Sequence, residues 1–245
     1  MNEQVREQLR MLRLPGFLQA MEEQQASTRY ADLSFEERLT FLVQKEFSRR
    51  DNLRLQRRLK SAKLKQTATL DQVDFTVQRG LVKKKFVELA ELQWVAAHHN
   101  LMIVGPTGVG KSFLASALGD KACKDGLSVR YIKTSALLSE LLCAKADGSY
   151  LKLTSALART DLLIVDEWLR EPLSEAHARE ILDLLDDRYR KSSTLFATQF
   201  PVAEWYRLIK DPTIAEAILD RVMHDSLRIE LRGESMRKIT SKLTL

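Results

Sequence analysis

Apolar positions in the first ninety residues recur at helical spacing, whereas beyond residue 100 they gather into short runs separated by amphipathic stretches. Ser34, with Glu37 three positions on, has the form of a capping box. Phe35, Leu39, Leu42, Val43 and Phe47 then share one side of a helical wheel. Past Ser48 the apolar positions are Leu55, Leu59 and Ala62, rotated by roughly half a turn. That rotation predicts two helices, or one broken between Ser48 and Asn52. From Asn100 the pattern alternates. Apolar runs at Leu101–Val104, Val129–Lys133, Leu162–Val165, Thr194–Thr198 and Leu227–Leu231 predict strands, and helical patterns cover Lys111 to Lys124, Ser174 to Arg190 and Ile214 to Met223. Two further helical pieces, separated by Asp147-Gly148-Ser149, fill Thr134–Ala158. Apolar strands alternating with helices predict an α/β fold: a parallel five-stranded sheet sandwiched by helices. The expected organisation is a helical domain over residues 1–70, a connecting helical segment over 71–99 and the α/β domain over 100–245.

Composition narrows the class. The chain has 245 residues, 44% hydrophobic and 29% charged, which suits a soluble globular protein with a sizeable core. Nine Gly and five Pro are too few for a turn-rich β-sandwich. No window approaches 18 apolar residues, and the start lacks the apolar stretch of a secretion signal, so a cytoplasmic chain is expected. Cys123 and Cys143 lie on helical patterns and are expected as core thiols, and Trp94, Trp168 and Trp205 as packing anchors. The formal net charge of +6 is concentrated in one place: Lys45 to Lys65 holds nine basic residues against Glu46 and Asp51. A local excess of this kind is what neutralisation of nucleic-acid phosphates requires, although basic runs are also solvated faces.

The sharpest chemical signal follows the first strand. Gly105-Pro106-Thr107-Gly108-Val109-Gly110-Lys111-Ser112 matches the phosphate-binding loop pattern, with Phe113 behind it. Its glycines let backbone N–H groups face a phosphate, and the next helix points its positive end at the same place. Lys111 is expected on the β- and γ-phosphates and Ser112 on Mg²⁺. At the end of the third strand, Asp166 is expected to hold the metal and Glu167 to polarise an attacking water, which favours hydrolysis over transfer to a small molecule. Thr198 and Gln199, at the next strand end, are the polar candidates for sensing the γ-phosphate.

These residues resemble the AAA+ ATPases of the initiator and helicase-loader branch. Within it they resemble the IstB family, ATPase helpers encoded by insertion sequences next to their transposase. The resemblance rests on the two nucleotide motifs and on Ser34-Phe35-Glu36-Glu37-Arg38, Asp187-Arg188-Tyr189, Thr198-Gln199-Phe200-Pro201 with Trp205, Ala217-Ile218-Leu219-Asp220-Arg221 and the run from Arg228 to Lys238. It implies a P-loop AAA+ domain behind a small all-α domain, with an ATP site completed by a neighbouring subunit. By position it makes Arg221 an arginine finger acting in trans and Arg237 a sensor near the γ-phosphate. It also implies duplex DNA, further copies of the chain and a transposase as partners. Thr134–Ala158 falls where this branch carries a helical insertion that steers subunits into a spiral; an ordinary bent crossover is the other reading. Two departures stand out: Trp168-Leu169 where relatives often have an aromatic and then Gly, and Gln199 where many carry Asn.

With ATP and Mg²⁺ as cofactors, the expected function is a DNA-binding ATPase that oligomerises on duplex DNA and assists a transposase. Arg50, Arg54, Arg57, Arg58 and Lys65 are the expected DNA contacts. A DnaC-like replicative helicase loader is the alternative, and a scaffold that binds ATP without hydrolysing it is a third.

Overall fold

The computed structural model describes residues 2–236 and 238, and its contacts gather into two compact units, one up to Arg57 and one from Arg58 onward. The expected boundary at residue 70 therefore moves inside a helix, and the segment 71–99 is part of the larger unit.

The first unit is helical. α1 (Glu3–Met11) and α2 (Pro15–Ala26) precede α3 (Phe35–Ala62). The capping box forms: Glu37 N–H donates to Ser34 Oγ at 3.2 Å and Ser34 N–H donates to Glu37 Oε2 at 2.8 Å. The buried Glu46 carboxylate accepts from Gly16 N–H (2.6 Å) and Phe17 N–H (3.2 Å), at the positive end of α2, and from Arg50 Nε (2.7 Å). Burial alone would raise its pKa; these donors hold it below the ordinary carboxylate value.

α3 runs unbroken for 28 residues, where two helices or a break were expected. No Gly or Pro interrupts it, and it ends only at Lys63, whose φ is 50°. The rotated stripe has another cause. Leu42 and Glu46 are buried in the first unit and Ala62 in the second, while Phe35, Val43 and Phe47 stay 73%, 54% and 67% exposed. One helix contributes buried residues to both units, and most of its first apolar stripe is not core.

Residues 63–82 contain only a 3₁₀ turn, Leu70–Gln72, so the connecting segment is helical only in α4 (Lys83–Ala90) and α5 (Gln93–Ala96). The α/β order follows: β1 (Asn100–Val104), α6 (Lys111–Lys124), β2 (Val129–Lys133), α7 (Thr134–Asp147), α8 (Tyr150–Ala158), β3 (Leu162–Asp166), α9 (Glu175–Arg188), β4 (Ser193–Thr198), α10 (Val202–Leu208), α11 (Pro212–Met223) and β5 (Ser226–Glu230). The strands lie in the order β2-β3-β4-β1-β5, all neighbours parallel. Central β3 and β4 are buried along their whole length, as strands covered on both faces must be. Because β4 separates β1 from β3, its carboxyl end stands between the loop after β1 and the acids ending β3.

Trp168, Phe196 and Trp205 pack edge-on at 4.9–6.1 Å between ring centres, and all three tryptophans are buried, in line with a packing role. Cys123 is buried but Cys143 is exposed, against expectation. α7 buries Thr134, Leu137, Leu141 and Ala144, and Cys143 falls on its other face.

Arg188 is buried at 1% exposure. Its guanidinium donates to the carbonyls of Leu157 (2.5 Å), Thr160 (2.9 Å) and Ser193 and to Thr194 Oγ1 (3.0 Å), tying the α8–β3 turn to β4. Burial lowers its pKa to about 9. Arg188→Ala leaves several carbonyls without donors in a dry site, and is expected to destabilise the domain by about 3–5 kcal/mol. A shift in the urea midpoint at unchanged slope checks this; an unchanged midpoint contradicts it.

Candidate nucleotide site

The loop after β1 is shaped by what surrounds it. A Cβ on Gly105 would lie 2.7 Å from the Leu231 carbonyl, beyond the end of β5, so only glycine lets the two backbones approach. Gly110 has φ 101° with the Arg79 guanidinium directly against it. Arg79 is nearly fully buried and donates to Val109 O (3.0 Å) and Asp74 O (3.0 Å), bracing the loop from behind. Burial lowers the Arg79 pKa. Nothing in the sequence motif marks this arginine; the Gly that follows it is the sole local hint.

Lys111 folds back over the loop, donating to Gly105 O (2.6 Å) and Pro106 O (2.8 Å). Burial lowers its pKa, partly offset by Asp166. Ser112, at the start of α6, donates its hydroxyl to Asp166 Oδ2 at 2.7 Å, which joins the two motifs. Asp166 is 1% exposed and has three more donors: Tyr131 Oη and Lys65 Nζ (3.3 Å) on Oδ2, and Glu167 N–H (2.9 Å) on Oδ1. Burial would raise the Asp166 pKa, but the Tyr131 and Ser112 bonds and the Lys65 charge hold it below its ordinary value. Burial and the adjacent carboxylate push Tyr131 far up, so its hydroxyl remains a donor. Tyr131 and Lys133 were not foreseen; both follow from the β2–β3 register, which sets Lys133 beside Asp166.

Glu167 takes a left-handed φ of 56°, a strain of order 1–2 kcal/mol for a residue with a Cβ. Its carboxylate is clamped by Lys133 Nζ (2.8 Å) and Arg170 Nη1 (3.0 Å). Burial opposes ionisation, but these two cations hold its pKa below the usual glutamate value. Leu169 also adopts a left-handed φ of 54°, at the position where the resemblance calls for Gly, and its fully buried side chain offsets the strain.

Between the loop after β1 and the acids that end β3, the strand end of β4 divides its work. The buried Thr198 hydroxyl donates to Trp168 O (2.8 Å), which commits it to the backbone. Gln199 faces the loop, where Thr107 Oγ1 donates to its Oε1 at 2.9 Å. A cavity of about 410 Å³ collects Thr107, Gly108, Lys111, Ser112, Asp166, Glu167 and Gln199. A second, of about 400 Å³, lies on the other side of the loop, among Gln72, Asp74, Arg79, Gly110, Phe113 and Met236. The donor set fits a magnesium nucleotide: a loop that excludes Cβ atoms, a lysine ammonium within it, and a hydroxyl–carboxylate pair of hard oxygen ligands.

The remaining expected residues separate. Arg221 lies near the amino end of β1: its carbonyl accepts from Asn100 Nδ2 (3.2 Å) at the start of that strand, while the loop follows β1's carboxyl end, about 13 Å further on for four residue steps. Its guanidinium pairs with Asp186 and donates to Ala217 O (2.9 Å). Arg237 lies outside the described residues. Among the basic run, Arg54 and Arg57 are exposed and make no ion pair among the described residues, and Arg58 is half-buried. Arg50 is held by Glu46 and by Arg13 O (2.9 Å), so it is a strut of the first unit and not a free phosphate contact. Lys65 sits on Ser112 and Asp166, not on an open basic face.

The profile of the IstB-like ATP binding proteins matches residues 7–244. The chain belongs to that family. An insertion-sequence ATP-binding protein of Sinorhizobium fredii is 42% identical over 232 residues, covering 95% of both chains. The corresponding protein of insertion sequence IS21 from Pseudomonas aeruginosa is 34% identical, over 94% of this chain and 85% of that one. Among solved structures, the replication initiator DnaA bound to AMPPCP and single-stranded DNA has a TM-score of 0.59 at 17% identity, covering 71% of this chain and 53% of that one. DnaI has a TM-score of 0.57 at 21% identity, covering 72% and 93%. The family is thus an ATP-binding one, and its fold is shared with the DnaA and DnaI structures. No helix among the described residues is long and apolar enough to cross a membrane.

Proposed function

We propose that the chain is a cytoplasmic, ATP-hydrolysing, DNA-binding helper that assembles on duplex DNA and assists the transposase of its own insertion sequence. The observation that carries this reading is the split site. The loop, Ser112, Asp166 and Glu167 stand at the carboxyl ends of the strands, whereas Arg221 stands near the amino end of β1, with the length of that buried strand between them. An arginine so placed serves the site of an adjoining copy. Ser112 and Asp166 would hold Mg²⁺, which would supply neutralisation of the phosphate charge. Lys111 moves from its own loop carbonyls to the phosphates, and Gln199 orients the γ-phosphate end. Glu167 accepts the proton of the attacking water once Lys133 and Arg170 let its carboxylate turn. Arg221 of the next subunit stabilises the transferred phosphoryl group, so hydrolysis requires assembly.

The insertion-sequence names of the relatives support the transposase as partner, and the exposed Arg54, Arg57 and Lys60 support a backbone contact with duplex DNA. Each neutralised phosphate adds about 0.9 to the salt slope, so Arg54→Glu with Arg57→Glu is expected to flatten the slope of log Kd against log salt by about 2. Fluorescence anisotropy with duplex and single-stranded probes measures it. An unchanged slope moves the DNA contact elsewhere, and preference for single strands favours a helicase-loader role of the DnaC kind.

A further inference from the structure

Lys65 is the residue that the nucleotide reading leaves unexplained. It belongs to the basic run by sequence, yet its ammonium is 3.2 Å from Ser112 Oγ, 3.3 Å from Asp166 Oδ2 and 4.0 Å from Glu167 Oε1. Ser112 and Asp166 are the two protein oxygens that hold a divalent ion in the reading above. Asp166 Oδ2 already accepts from Tyr131 and Ser112, both fixed on regular elements, β2 and α6. Lys65 is the one donor on that oxygen carried by a strap. It lies three residues beyond the end of α3, after the left-handed Lys63, and no regular element resumes until Leu70.

We propose that Lys65 is a built-in competitor for the metal position, an ammonium that satisfies Ser112 and Asp166 until a divalent ion arrives with nucleotide and displaces it. The inference rests on the reading of Ser112 and Asp166 as the metal pair. An ion coordinated by both oxygens at about 2.1 Å takes the lone pairs that the ammonium uses, and two cations on one buried carboxylate repel each other. Tyr131 and the Glu167 N–H stay in place through the exchange, because neither carries charge and both orient the carboxylate. Only the Lys65 side chain has to leave, since the strap itself stays anchored by Leu64 against Gly119 and by the buried Ala68. Lys65 therefore sets how much Mg²⁺ the site demands.

The test is the binding of a fluorescent N-methylanthraniloyl ATP to the full chain, with Mg²⁺ and with chelator, read as the ratio of the two Kd values. Lys65→Gln keeps the stem and removes the charge; it is expected to increase the gain from Mg²⁺ by about tenfold, a typical coupling between two ligands of one site. Lys65→Arg keeps the charge and is expected to stay near the wild-type ratio. A ratio unchanged or reduced in Lys65→Gln overturns the proposal, a reduction meaning that Lys65 helps the phosphates instead. Asp166→Asn separates the two levels. Should it keep the full wild-type gain from Mg²⁺, the metal pair itself is misassigned and the proposal falls with it. Should it lose the gain while Lys65→Gln changes nothing, only the competitor is wrong.

Discussion

Glu167→Gln is expected to lower ATP turnover by about 10²–10⁴-fold, the range of a lost general base, while leaving ATP and DNA binding within a few-fold of wild type. The substitution keeps the shape of the side chain and alters only its ability to take a proton. It weakens the pairs with Lys133 and Arg170, which are 43% and 64% exposed, so little stability is lost. The left-handed φ of 56° is no harder for Gln than for Glu. Phosphate release and equilibrium nucleotide binding, measured on the same preparation, separate the two effects. Turnover within tenfold of wild type would remove Glu167 as the base. ATP recovered intact from the wild-type chain would support a scaffold that holds nucleotide without cleaving it.

Arg221→Ala is expected to match or exceed that loss, because arginine fingers contribute about 10³–10⁵ in rate. The geometry adds a sharper expectation. With Arg221 near the amino end of β1 and the loop at its carboxyl end, an arginine acting on the neighbouring copy lets each inactive variant repair the other. In an equal mixture of Arg221→Ala and Glu167→Gln chains, about one interface in four pairs an intact Glu167 with an intact Arg221 from its neighbour. The mixture should recover roughly that share of activity from two nearly inactive proteins. Recovery at no mixing ratio, with both variants assembling normally, would mean that Arg221 acts on its own chain or not at all. In the proposed assembly, Asp186, which pairs with Arg221 within the chain, is the group that a neighbour's nucleotide would have to outcompete.

Strand and helix order beyond Asn100 was legible because a sheet buried on both faces writes itself as apolar runs, and Gly105–Ser112 was legible because few residue types can line a phosphate loop. The pairing of Ser112 with Asp166 followed from the two motifs together. What could not be read was set by distant contacts. A rotated stripe looked like a broken helix because the sequence does not show that α3 contributes buried residues to both units. Arg50 looked like a DNA contact because its partner, Glu46, belongs by charge pattern to the same run, and its burial against Gly16 is a tertiary fact. Lys65 looked like the tail of a basic face, but the strap after Lys63 turns it onto residues 47 and 101 positions away. Arg79, Tyr131 and Lys133 hold the site from behind, where chemistry leaves no motif. Thr198 and Gln199 were interchangeable in sequence, and only the fold shows that Thr198 donates to a backbone acceptor, Trp168 O, while Gln199 faces Thr107.

ATP and duplex DNA together are expected to assemble the chain into the form that completes its sites. Mass photometry tests it most directly, with the protein alone, with a non-hydrolysable ATP analogue and Mg²⁺, with a duplex of about 60 base pairs (roughly 200 Å at 3.4 Å per pair), and with all three. The account predicts small particles in the first three conditions and large, discrete multiples of the chain on DNA in the fourth, lost in Lys111→Ala. Small particles in every condition, or equal assembly without nucleotide, would contradict it.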